Sequence, residues 1–83
     1  MPIRFHRHAV ERMEERNATA LDVEETIQHG ERFEARFGRT GFRRNFCFDG
    51  ERHGRYYQTK EVEVYAVEED FGWLVLTVIT RYF

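Results

Sequence analysis

Serine is missing from this chain altogether, cysteine and lysine occur once each, at Cys47 and Lys60, and the one proline is Pro2. Each scarcity removes a class of function. Without serine there is no serine nucleophile, and a lone cysteine can form neither an internal disulfide nor a multi-cysteine zinc site. The four histidines do not fall into the HExxH spacing or beside paired cysteines, so neither a metal site nor a cofactor is assigned. No glycine-rich loop is placed to cradle a nucleotide phosphate, and no apolar run is long enough to span a bilayer. The first residues lack the basic-then-apolar layout of a secretion signal, so a cytoplasmic protein without membrane contact is the expectation. With no internal repeat, linker or helix-breaking proline, residues 1–83 read as a single domain.

What is present is large, apolar and cationic in places. Hydrophobic residues make up 41% of the chain and aromatic residues 16%, too much for a disordered tail and enough for a small core. The formal net charge of −2 excludes a strongly basic, nonspecific polyanion binder. Distribution matters more than the sum. Residues 32–55 hold seven arginines (Arg32, Arg36, Arg39, Arg43, Arg44, Arg52, Arg55) against three acids (Glu34, Asp49, Glu51). Guanidinium forks suit phosphate better than ammonium groups do. A general bias toward arginine explains the count equally well at this level.

Periodicity divides the chain in two. Phe5, Ala9 and Met13 recur at helical spacing with Val10 beside them, which predicts a helix over about residues 6–16. Thr19 can cap a second helix with Asp22 three positions on, Ala20, Val23 and Ile27 supply its apolar stripe, and Gly30 is placed to end it. After Gly30 the period drops to two. Phe33, Ala35 and Phe37 alternate with charged residues, and Phe42, Arg44, Phe46 and Phe48 alternate with Arg43, Asn45 and Cys47, with a first turn over Gly38–Gly41 and a second connection beginning at Asp49-Gly50. Val62, Val64 and Ala66 form a third strand, and WLVLTVITRYF a fourth that is apolar on both faces. Residues 50–60, GERHGRYYQTK, read either as a basic, aromatic loop or as a short extra strand. The expected fold class is α+β: two N-terminal helices packed on a mainly antiparallel sheet of about four strands.

His8, Arg12 and Arg16 stand at four-residue steps on the border of the first helix's apolar stripe, where a side chain is held at its base and wet at its tip. That suits a catalytic or phosphate-contacting group. The plain alternative is a solvated helix face, with Arg12 paired to Glu15 or Glu11 and Arg16 to Glu14 or Asp22.

The run HAVERMEER (His8–Arg16), followed by Val23, Ile27 and Gly30-Glu31 and by a late strand containing Leu76-Thr77-Val78, resembles the family of domain of unknown function 4258. Those small bacterial and phage domains open with an HA-x-x-R-M-x-x-R helix and close with a strand of the V-T-V type. Asn17-Ala18-Thr19 stands where the family usually has Gly-Ile-Ser. The family is similar in turn, at the level of layout, to RelE- and ParE-type toxins and to metal-independent ribonucleases related to barnase and colicin nucleases.

This resemblance implies a RelE-like fold and a small toxin-like ribonuclease, with RNA as substrate, an antitoxin or other inhibitory protein as partner, and a homodimer as an option. Cleaving RNA without a metal needs a proton acceptor, a proton donor and fixed positive charge at the phosphate. The implied catalytic set is His8 for proton transfer, Arg12 and Arg16 for phosphate, and Thr77 as a hydrogen-bond donor, although a strand threonine is also common for its β-branched shape. Arg43, Arg55, Tyr57, Lys60 and Arg81 are the candidate nucleic-acid contacts, cations interleaved with rings that can stack on unpaired bases. One geometric tension accompanies this reading. Strict alternation puts Thr77 and Arg81 on one face with Trp73, Val75 and Ile79, and Leu74, Leu76 and Val78 on the face toward the helices. The site must then form at an edge of the sheet, or the strand phase must differ by one. The rivals to catalysis are a noncatalytic nucleic-acid-binding module and an immunity- or inhibitor-like protein whose arginines meet an acidic partner.

Overall fold

A short strand, β1 (Ile3–Phe5), precedes helices α1 (Arg7–Glu15) and α2 (Ala20–His29). Strands β2 (Glu31–Glu34), β3 (Thr40–Arg52), β4 (Arg55–Glu69) and β5 (Gly72–Tyr82) follow, in a computed structural model that describes residues 2–83. Both helices start with a side-chain cap. His6 Nδ1 accepts from the His8 N–H at 3.1 Å, and Thr19 and Asp22 exchange hydrogen bonds in a capping box, each 3.0 Å long. Between the helices the chain turns at Asn17, whose φ of 56° lies in the left-handed region that asparagine tolerates better than most residues.

The strands form one sheet in the order β1-β5-β4-β3-β2. β1 runs parallel to β5, and the other neighbours are antiparallel. The expectation of two N-terminal helices on a mainly antiparallel sheet of about four strands is therefore corrected. The sheet has five strands, it is mixed, and a strand comes before the helices. Ile3-Arg4-Phe5 is too short to show a period of two, and its apolar residues also fit the approach to a helix. Only its partner, seventy residues on at Trp73–Val75, makes it a strand.

Two turns also differ from expectation. Phe37 and Gly38 have φ of 61° and 70°, so β2 ends at Glu34 and Phe37 stands in the turn, 85% exposed. The β3–β4 hairpin closes at His53-Gly54, with φ of 55° and 78° between the paired residues Arg52 and Arg55. Positive φ at both central positions is the geometry whose twist matches the flanking strands. Residues 50–60 are thus the end of a long hairpin. Asp49, with φ of 43°, belongs to an irregularity inside β3 where the register shifts between Cys47 and Gly50.

A second irregularity settles the phase of β5. Thr77 pairs with Tyr65 but Val75 pairs with Ala66, so Leu76 is left over and the alternation slips by one residue. Trp73 and Val75 face the helices before the bulge, and Val78 does so after it, all 4% exposed or less. With Ala9, Met13, Val23, Phe42, Val62, Val64 and Ala66 they make the core between the helices and one face of the sheet. The other face carries no helix and displays Arg43, Glu61, Glu63, Tyr65, Thr77, Ile79 and Arg81. No helix is long and apolar enough to cross a membrane.

Lys60 lies at the edge of this core, 8% exposed. Its ammonium group donates to Asp22 Oδ2 at 3.0 Å and to the backbone carbonyl of Asn17. Partial burial raises the Asp22 pKa, but hydrogen bonds from the Thr19 N–H and from Lys60 outweigh it and hold the carboxyl below its ordinary value. A depressed folded pKa means stability that is complete above the unfolded value and is lost as pH falls through the folded one. Lys60→Ala is expected to cost about 3 kcal/mol in urea unfolding at neutral pH, since it strands a partly buried carboxylate. Lys60→Ala and the parent should converge once the pH is below the carboxylate range, and an unchanged gap there would reject the ion pair as the cause.

Candidate nucleic-acid interface

The α1 stripe is exposed but largely committed to neighbours. His8 has 61% of its side chain exposed, stacks on His6 at 5.0 Å between ring centroids, and places Nδ1 3.7 Å from Glu11 Oε2. Arg12 Nη1 contacts both carboxylate oxygens of Glu15 at 3.2 Å. Arg16 turns the other way. β1 flanks β5 only along residues 73–75, so beyond Val75 that edge has no neighbouring strand. Arg16 Nη1 donates to the Val78 carbonyl at 2.7 Å, and Thr80 Oγ1 donates back to the Arg16 carbonyl at 2.9 Å. Arg16 thus holds α1 against the sheet and satisfies a strand carbonyl that would otherwise lack a protein partner.

Thr77 is not with them. It lies on the open face beside Tyr65, with the sheet between it and α1. Neither an edge location nor a shifted phase brings Thr77 to His8: the bulge moves Trp73 and Val75 to the helix face, against the strict alternation expected, and leaves Thr77 and Arg81 together on the face without helices. Arg43 and Arg81 lie there too, converging on Glu63, whose carboxylate accepts from Arg43 Nε at 3.1 Å, from Arg81 Nη1 at 3.0 Å and from the Tyr65 hydroxyl. Burial pushes the Glu63 pKa up, yet these three donors more than compensate and hold it below the ordinary glutamate range. The same contact raises the Tyr65 pKa and keeps Arg81 firmly protonated. Lys60, the remaining cationic candidate, is the internal clamp already described.

The hairpin brings the other candidates to the end of α1. The Arg55 guanidinium lies 5.9 Å from the Tyr57 ring, and Tyr57 lies 5.8 Å from Tyr82. Tyr82 packs edge-on against Phe48 at 4.9 Å and carries the Arg52 guanidinium 4.9 Å from its centroid. Arg52 Nη2 donates to the carbonyl of Glu15 at 3.3 Å, a cation at a helix C-terminus, and Asn17 Nδ2 reaches the Tyr82 hydroxyl at 3.5 Å. An unbroken line of contacts therefore runs from the hairpin tip through three aromatic rings to the last turn of α1, where Arg12 stands. Tyr82 and Phe48 are its centre and were not singled out by the sequence. Their only signal was that Tyr82 falls in a strand opposite the position of Lys60, which needs the register to be read.

The geometry assigns different costs to two substitutions on the same helix stripe. His8→Ala should leave thermal stability unchanged, whereas Arg16→Ala should lower the unfolding free energy by about 1.5 kcal/mol by freeing a strand carbonyl. Parallel thermal melts decide this, and equal effects would refute the division of the stripe into an exposed and a structural half.

The chain was compared with known proteins and families. No curated protein and no solved structure matches it. The family model described as "Domain of unknown function (DUF4258)" matches residues 5–80, nearly the whole length, from the end of β1 to Thr80 in β5. The chain belongs to that family.

Proposed function

We propose that this protein binds single-stranded RNA through the aromatic and guanidinium line that joins the β3–β4 hairpin to α1. The observation that carries the reading is the ring of Tyr82, held between Arg52, Phe48 and Tyr57 at the junction of hairpin and helix. Arg4, Arg12, Arg43, Arg44 and Arg81 are each engaged by a carboxylate within 3.3 Å. Arg52 and Arg55 meet no carboxylate within 4.0 Å among the described residues and lie against rings instead, so their charge is left for an outside anion. A guanidinium lying over a ring keeps outward N–H groups for phosphate oxygens, while the open parts of these half-buried rings can pack against bases. Unpaired bases are the fitting partners, because only unstacked bases can lie on a protein ring.

The reading stops at binding. Cleavage by His8, Arg12, Arg16 and Thr77 would need four groups at one phosphodiester, and Thr77 is across the sheet from the other three. Arg16 is also occupied by the Val78 carbonyl. Of the implied catalytic set, only Arg12 stands in the helix turn that the proposed line reaches, and there it is engaged by Glu15.

The test is fluorescence anisotropy with a labelled, unstructured RNA. Binding should weaken with added salt in proportion to the few phosphates contacted. Tyr57→Ala or Arg52→Ala should each weaken it by about tenfold, the scale of one lost base stack or charged contact. His8→Ala should change it little, and the RNA should be recovered intact. Salt-independent binding, or full affinity in both hairpin variants, would overturn the reading, and a cleaved RNA that survives only in the His8→Ala sample would restore the catalytic one.

A further inference from the structure

On the open face of the sheet, well away from the hairpin line, the β2–β3 turn arches over a cleft of about 480 Å³. Phe33, Tyr65, Thr77 and Ile79 line it, together with Glu34, Arg36 and Arg39 from the end of β2 and the turn. Neither of these arginines has a carboxylate within 4.0 Å among the described residues, although the neighbouring Arg43 and Arg81 have two each.

The aromatic wall is fixed before any ligand arrives. Phe33 lies across Gly41, its partner in the register, and a Cβ at position 41 would collide with the Phe33 ring. A glycine is required there for the ring to lie flat on the sheet. Phe33 then meets Tyr65 edge to face, with centroids 6.1 Å apart and planes at 85°, and the Arg43 guanidinium covers Phe33 at 4.7 Å. Glu63 holds both neighbours, accepting from Arg43 Nε and from the Tyr65 hydroxyl. The turn is pinned as well, by the Ala35 N–H to the Arg39 carbonyl at 3.0 Å and the Arg39 N–H to the Arg36 carbonyl at 3.2 Å. The cleft thus offers a preset aromatic floor and, beside it, two guanidiniums that no carboxylate engages within 4.0 Å among the described residues, with Glu34 in the same lining.

We propose that this cleft is a binding site for a nucleoside monophosphate, with the base against Phe33 and Tyr65 and the phosphate at Arg36 and Arg39. A flat apolar wall selects a planar ring, and paired free guanidiniums select a compact anion on the same molecule. The volume lies within the range of small-ligand sites. Thr77 supplies a hydroxyl at the cleft, which gives this residue a role on the face where it stands. The site does not depend on the hairpin surface, and Glu63 acts in it only as a positioning residue for the wall.

Nuclear magnetic resonance titration tests this, using adenosine 5′-monophosphate, adenosine and inorganic phosphate as separate probes. The monophosphate should shift the signals of Phe33, Ala35, Thr77 and Ile79, and each half-molecule should bind at least about tenfold more weakly, as for loss of one charged contact. The double variant Arg36→Ala/Arg39→Ala, altered only in an exposed turn, should lose about the same factor while binding single-stranded RNA like the parent. Gly41→Ala should weaken the monophosphate by displacing the Phe33 ring, and Phe33→Leu, which keeps an apolar floor without a flat wall, should reproduce that loss. No shift at these four residues at millimolar nucleotide, equal binding of adenosine and its monophosphate, or an unaffected double variant would each overturn the site. Signals that move only at Tyr57 and Tyr82 would leave the hairpin reading standing and remove this one.

Discussion

A single ammonium group joins the two layers of this fold. Lys60 Nζ leaves β4 on the helix side of the sheet and reaches both the turn after α1, through the Asn17 carbonyl, and the first turn of α2, through Asp22. Asp22 in turn closes the capping box with Thr19, so one carboxylate starts a helix and anchors it to the sheet. Taking a charge this far from water is unfavourable unless its partners are placed in advance, which fixes the angle of the helix pair. The exposed half of α1 inherits that placement. The end of α1 meets Arg52 because the turn at Asn17 is tied to β4 a few residues away from the hairpin.

With the helices fixed on one face, the distribution of arginines acquires meaning. On the open face Arg43 and Arg81 share the nearly buried Glu63, and at the edge of the helix layer Arg44 is neutralised by Glu25. Those guanidiniums are part of the protein's own electrostatic framework. Arg52 and Arg55 at the hairpin end and Arg39 in the β2–β3 turn have rings for neighbours rather than carboxylates. A chain with a net negative charge can therefore still hold local positive surfaces, and these are the places where an anion would find unshared donors.

Much of the local structure was legible in the residues. Thr19, Asp22 and Gly30 marked the second helix because caps act through immediate neighbours, and Val62, Val64 and Ala66 kept a clean period of two because the extra residue of the bulge opposite Tyr65 and Ala66 lies in β5. What escaped depended on partners distant in sequence. β1 is defined only by Trp73–Val75, and the bulge at Leu76 only by β4, so the face of Thr77 could be posed as a question but not answered. Lys60 looked like one more cation of a basic segment, and nothing within a few residues of it announces the Asp22 and Asn17 that surround it. The turn at His53-Gly54 carried a two-residue hairpin signal that the more familiar Asp49-Gly50 pair obscured. The line through Tyr82 required all of these at once.

The pairing of β1 with β5 has a further consequence, for the way the chain reaches this state. The ring it closes takes in both helices and every other strand, so the entropy of bringing those segments together is spent before the short parallel ladder returns anything. Helix caps and the tight hairpin can organise from near neighbours, whereas this last contact must wait for them. High mean separation between touching residues slows folding, and a strand of three residues has little to hold it until its partner is in place. The edge of the sheet next to α1 is therefore the part of the fold with the fewest local contacts to hold it.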